Sequence, residues 1–193
     1  MKSRITTLLT AAALLFIAQA GISQGALQVK PNKMTIQGSS TIHDWESQIT
    51  KADVKGEFLV DNSQLKEVKN LEVKIPVESI KSTKGKMMDN KTYDAFNSDK
   101  NPYIIYSLNN ARINADGTID GNGTLTMAGV TKPMQLKAKY KILNNGDVQL
   151  VLSRTFKMTE FKMDPPTAMM GSIKVGDEVT VNFDVVVNSK LIQ

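Results

Sequence analysis

The chain contains no cysteine, one histidine and one tryptophan, and each scarcity removes a class of chemistry. Without thiols there is no disulfide framework, thiol nucleophile or thiolate metal site, so stability has to come from burial alone. With His43 as the sole imidazole, a catalytic zinc site would have to lean on carboxylates, because zinc hydrolases usually use two or more histidines. A Ser-His-Asp arrangement would draw on His43 with Ser39, Ser40 and Asp44. Such triads are assembled from separate elements rather than from sequence neighbours; the other reading is that His43 and Trp45 anchor a strand end. No glycine-rich phosphate loop of the nucleotide-binding kinds is present. A strong surplus of one charge is missing too. The net charge of +5 falls to +3 once Lys2 and Arg4 are set aside, and both signs are scattered, which gives no footprint for nucleic acid.

The first twenty residues differ in kind from the rest. Lys2 and Arg4 precede an uncharged apolar stretch from Ile5 to Ala20 that is too short to cross a bilayer, and Ala18-Gln19-Ala20 forms a small-x-small site. Residues 1–20 are therefore expected to be a cleaved signal peptide. Residues 21–193 are expected to form one domain, soluble in the periplasm or outside the cell and without stable membrane insertion. No cysteine stands at the junction to carry a lipid anchor.

From Ala26 onward, apolar residues recur with period two, the mark of strands with one buried and one wet face. The clearest run is Val179, Val181, Phe183, Val185 and Val187; Met134, Leu136, Ala138, Tyr140 and Ile142 repeat it, as do Leu71 to Val77 and Ala52 to Val60. Trp45, Ser47 and Ile49 fall on the opposite parity to the last of these, which calls for a bulge or bend near Thr50. Turns are expected at Pro31-Asn32, Asp61-Asn62, Ala115-Asp116-Gly117, Asp120-Gly121 and Asn144 to Asp147, with Asn145-Gly146 the strongest hairpin signal. A further hairpin at Gly129 to Lys132 would set Met127 opposite Met134 and Leu125 opposite Leu136. Thr83 to Phe96 breaks the alternation and reads as a short helix or helical loop. The expected fold is all-β, an eight-stranded antiparallel barrel with that helix added.

Methionine is the residue in need of explanation. Met87, Met88, Met127, Met134, Met158, Met163, Met169 and Met170 fall in a few segments. A flexible, polarizable thioether can adapt to a chain-like apolar partner or simply fill a core. A Cu(I) thioether site would want spaced methionines with histidine nearby, whereas Met87-Met88 and Met169-Met170 are adjacent pairs. Gly56, Gly123 and Ala138 lie on the apolar parity and would leave room inside the barrel.

Taken in order, SSTIHDW, VKGEF, VKIPVESIKS, the Met87-Met88-Asp89 loop ending at Phe96, NPYIIY, GTLTMAGVTKPMQL and VGDEVTV resemble the YceI-like, polyisoprenoid-binding family. The resemblance runs from about Gly38 to Val187 and is most specific at Gly123 to Thr131 and Gly176 to Val179. It implies an extended lipocalin-like barrel, exported, holding a long isoprenoid or similar amphiphile, with no cofactor and no enzymatic activity. The expected ligand-binding set is Phe58, Met87, Met88, Phe96, Met127, Met134, Leu136, Tyr140, Met169, Met170 and Phe183. Lys81, Lys84 and Lys86 stand near the helical loop, where they could meet a phosphate or remain solvated. The alternative function is a protein-interaction module with a filled core.

Overall fold

The computed structural model describes residues 26–191; the expected signal peptide lies outside them. In chain order the strands are β1 (Ala26–Leu27), β2 (Val29–Ser40), β3 (Trp45–Ile49), β4 (Asp53–Asp61), β5 (Gln64–Pro76) and β6 (Ile80–Ser82). After helix α1 (Lys86–Phe96) come β7 (Tyr103–Ile113), β8 (Thr118–Met127), β9 (Val130–Ile142), β10 (Val148–Lys157), β11 (Thr167–Ala168), β12 (Ile173–Val187) and β13 (Lys190–Leu191). They form one strongly curled sheet, antiparallel except for the short parallel pair β13–β4.

The eight longest strands lie side by side in the order β4-β5-β7-β8-β9-β10-β12-β2. They account for the eight expected from the alternation. The row does not stop there, because β3 and β6 extend it beyond β2, giving ten strands of three or more residues. The expected eight-stranded barrel is corrected in this respect: β2 pairs with β3 along its upper half rather than with β4. The cause is the break at Thr50, whose N–H and hydroxyl both donate to the Ser79 carbonyl at 2.9 Å. That ties the end of β3 to the segment beside β6, and β4 starts afresh at Asp53. At the other end of β2 the chain itself links the two edges, since Leu27 pairs with Val54 of β4 and Val29 with Val187 of β12.

Several turn expectations change. Asn62 and Ser63 (φ 47° and 58°) turn the β4–β5 hairpin, and Gly117 and Gly146 (φ 78° and 84°) turn the next two floor-side loops, as their sequences require. Pro31-Asn32, by contrast, lies within β2, where the register against β12 slips between Asp184–Lys33 and Val185–Pro31 and leaves Asn32 as the extra residue of a bulge. Asp120-Gly121 also lies inside a strand, β8. The β8–β9 turn is tighter than expected. Ala128 and Gly129 both take positive φ (49° and 77°), so Met127 pairs with Val130, and Met134 stands opposite Gly123.

The apolar parity does face a common interior. Phe58 is buried, Lys137 and Lys139 are exposed, and Val73, Leu136, Tyr140, Val181 and Phe183 are half-buried. All but Tyr140 of the half-buried set border a cavity, and this accounts for their incomplete burial.

Candidate functional site

Inside the curl is a cavity of about 550 Å³. Its floor is sealed by the hairpin ends, where Val148, Val187, Val60 and Leu65 are 0 to 4 % exposed. Its opposite end is open, bordered by the β2–β3 turn with Ile42 and His43, by Lys84 and the first turns of α1, by Arg154 and Phe156 of β10, and by Pro166 to Ala168. Between floor and mouth the wall is apolar apart from a few polar groups such as Ser47 and the Tyr106 hydroxyl.

Helix α1 forms one side of the mouth. Gly85 precedes it with φ 89°, and Asn97 ends it in the left-handed region. The Asp89 carboxylate is buried and accepts the Ser82 N–H at 2.6 Å, which pins the first turn to β6. Met88, Thr92, Ala95 and Phe96 then share the face turned to the cavity, at the spacing a helix needs to present one stripe. Lys81, one of the lysines expected near a phosphate, is engaged elsewhere. It donates to the Tyr93 hydroxyl at 2.6 Å, and this bond holds its pKa above the ordinary lysine value. Of that trio only Lys84 borders the cavity.

Tyr106 shapes the wall opposite. Its ring lies over Gly121 and Gly123, and its hydroxyl donates to the Gly121 carbonyl at 3.0 Å. Burial pushes the phenol up to about 12. A methyl on Gly123 would come within 2.7 Å of the ring. The space left by Gly123 therefore belongs to a side chain, and Gly56 likewise backs onto Leu71 and Lys69; of the three small inward residues only Ala138 borders the cavity.

The structure brings Phe58, Met87, Met88, Phe96, Met127, Met134, Leu136 and Phe183 together on the cavity wall or rim. Three expected residues are not there. Tyr140 sits one inward position beyond Ala138 toward the floor and packs in the core. Met169 and Met170 are 73 % and 108 % exposed on a short 3₁₀ turn, each with positive φ, and point to solvent beside the mouth. The sequence reading missed Lys91, Ile42 and Arg154. Arg154 was detectable, because it shares the inward parity of Leu150, Leu152 and Phe156 and is the one charge in that series.

His43 and Trp45 border the mouth in structural roles. The Ser40 hydroxyl donates to the His43 carbonyl at 2.7 Å, the His43 Nδ1 lies 2.9 Å from the Asp44 carbonyl, and the Trp45 indole donates to Ser39 at 3.0 Å. These contacts all go to backbone carbonyls, so the hydroxyl, imidazole and carboxylate do not line up as a relay. Among the described residues, no three His, Asp or Glu side chains cluster as a metal would require, and no helix is long and apolar enough to cross a membrane.

A search of curated proteins gives no match. Among solved structures, the fold is similar to BcnA from Burkholderia cenocepacia, with TM-score 0.66 and 17% identity over 83% of this chain and 100% of that one. It is similar to a polyisoprenoid binding domain from Saccharophagus degradans implicated in plant cell wall breakdown (TM-score 0.62, 11% identity, 85% and 99% covered). A YceI protein from Campylobacter jejuni also matches (TM-score 0.57, 22% identity, 75% and 84% covered). The model of the YceI-like domain matches residues 27–187, nearly the whole curled sheet, and the chain accordingly belongs to the YceI-like domain family.

Proposed function

We propose that the protein is an exported, non-enzymatic carrier or scavenger of a long-chain lipid, a polyisoprenoid, quinone-like or similar molecule, held with its tail in the cavity and its head at the mouth. The observation that carries this reading is the cavity itself. Its volume falls within the roughly 300–1,000 Å³ typical of ligand pockets, and its wall is apolar while its charged residues, Lys84, Lys91 and Arg154, stand at the open end. Each CH₂ buried there contributes about 0.8 kcal/mol, so a long tail binds tightly with few polar contacts. The alternative of an interaction module with a filled core is disfavoured by the same open space.

Native mass spectrometry of gently purified protein from the exported fraction tests the reading. The expected result is an added mass that organic solvent removes and that is identified in the extract as a long-chain lipid. Bare protein that also fails to take up added long-chain lipids would overturn it.

A further inference from the structure

The large apolar side chains most exposed among the described residues are Met170, Met169, Met87 and Ile42, at 108, 73, 74 and 61 %. All four stand at one end of the molecule. Ile42 and Met87 border the mouth directly, and Met169-Met170 follow Pro166 to Ala168, which also border it. The turn carrying Ile42 is tied to Lys174 of β12, the pairing partner of Thr167: the Thr41 N–H donates to the Lys174 carbonyl at 3.0 Å, and the Lys174 N–H to the Thr41 hydroxyl at 3.2 Å. Met169, Met170 and Gly171 all take positive φ (50°, 52° and 87°), so the turn presents both methionines outward. Such a cluster of apolar tips, left in water around an opening, marks a surface that is covered in use.

The charges on the same segments favour one kind of cover. Lys84, Lys86, Lys91, Arg154 and Lys174 surround the apolar tips, and none has a carboxylate within 4.0 Å among the described residues. The carboxylates of these segments are Asp44, Asp89, Asp94, Asp99, Glu160 and Asp164, with Asp177 nearby on Thr159; Asp89 is buried against Ser82 and Lys81, and none of them borders the mouth, where Lys84, Lys91 and Arg154 stand. Apolar tips beside a rim whose bordering charges are Lys84, Lys91 and Arg154 match the interface of an anionic bilayer, where apolar groups enter the acyl boundary and cationic side chains stay at the headgroups.

We propose that the mouth of the cavity docks on an anionic lipid bilayer through Ile42, Met87, Met169 and Met170, so that a lipid passes between membrane and cavity without crossing water. The proposal rests on the lipid-carrier reading for its purpose, but docking is measurable on its own. Residues 21–193 are mixed with vesicles of phosphatidylcholine alone or with phosphatidylglycerol, and association is read by co-sedimentation. The expected result is association with the anionic vesicles only, lost on raising salt from about 0.1 M to about 1 M, over which screening shortens from about 10 to about 3 Å. Met169→Ser/Met170→Ser, whose side chains lie off the cavity wall, should weaken association on the order of tenfold, from the apolar surface removed. Retained lipid by mass spectrometry should stay at the wild-type level. In Met170→Trp, emission from the introduced indole should shift to the blue when anionic vesicles are added. Failure of the wild-type protein to associate, or full association of the double serine variant with no emission shift in Met170→Trp, overturns docking. A concentration-dependent dimer in ultracentrifugation, abolished by the serine variant and with no vesicle association, overturns it in favour of self-association. Docking by a wild-type protein that carries no lipid and takes up no added long-chain lipid would instead defeat the carrier reading alone.

Discussion

At the floor of the curled sheet Val60, Val148 and Val187 are at most 1 % exposed, whereas at the mouth Ile42, Met87, Met169 and Met170 stand 61 % or more in solvent. Both ends are made of apolar side chains, so composition does not separate them. Connection does. The floor is closed by short hairpins whose strands continue straight into the sheet, so neighbouring side chains meet. The mouth is made of longer connections, residues 83–102 and 158–172, which spread apart around an opening. The lesson is that the same residue type stabilises at one end and serves contact at the other, according to what its neighbours leave uncovered.

The strongest way to break this comparison is a charge at each end. Val148→Asp places a carboxylate where no water reaches and should cost more than about 4 kcal/mol, while Met170→Asp should change stability by less than about 0.5 kcal/mol. Urea denaturation measures both, and equal losses would mean that the mouth is as well packed as the floor. The two methionine pairs sharpen the contrast for the ligand. Met88→Asp sets a charge on the cavity wall and should abolish retained lipid in a protein that still melts cooperatively, whereas Met170→Asp should retain it fully. Extraction after gentle purification decides between them.

A third test addresses the wall. Gly123→Ala drives a methyl into the Tyr106 ring and the Ser107 carbonyl, and should cost about 1–3 kcal/mol in thermal or chemical melts. A neutral result would mean that Tyr106 is free to leave its place. The smallest effect expected is on acid stability. The Arg112 guanidinium, 2.7 Å from Asp120 and assisted by Asn114, holds that carboxyl below its usual range near the floor. Near the mouth, hydrogen bonds from the Thr159 hydroxyl and N–H do the same for Asp177. With the folded pKa below the unfolded value of about 3.9, each contributes stability above that pH and loses it as pH falls through the folded value. Urea midpoints followed from neutral to acid should therefore drop below about pH 4, and less steeply in Asp120→Asn and Asp177→Asn.

The long strands were legible in the sequence because alternation reports directly which face meets water. Val179 to Val187 and Met134 to Ile142 lie in β12 and β9 with the expected residues inward. The irregular points were harder to read for an equally physical reason. Pro31-Asn32 and Asp120-Gly121 carry turn-forming residues, yet a bulge and a strand flanked by Arg112 and Asn114 use the same residues without reversing the chain. Likewise an Ala-Gly pair does not advertise a two-residue turn, and Ala128 adopts positive φ only because the β8–β9 ladder is strong enough to require it.

By itself the sequence determined the all-β class, the inward parity, the helix in the segment Thr83 to Phe96 and the lack of thiol chemistry, since each follows from local periodicity or composition. Tertiary structure alone decided which inward residues face space and which face each other. Gly123 and Ala138 share a parity and a size class, but one lies under the Tyr106 ring and the other borders the cavity. Met88 and Met170 are the same residue in adjacent pairs, yet α1 turns the first inward and three successive left-handed residues turn the second out. Such outcomes depend on partners distant in the chain, and a one-dimensional pattern carries no record of them.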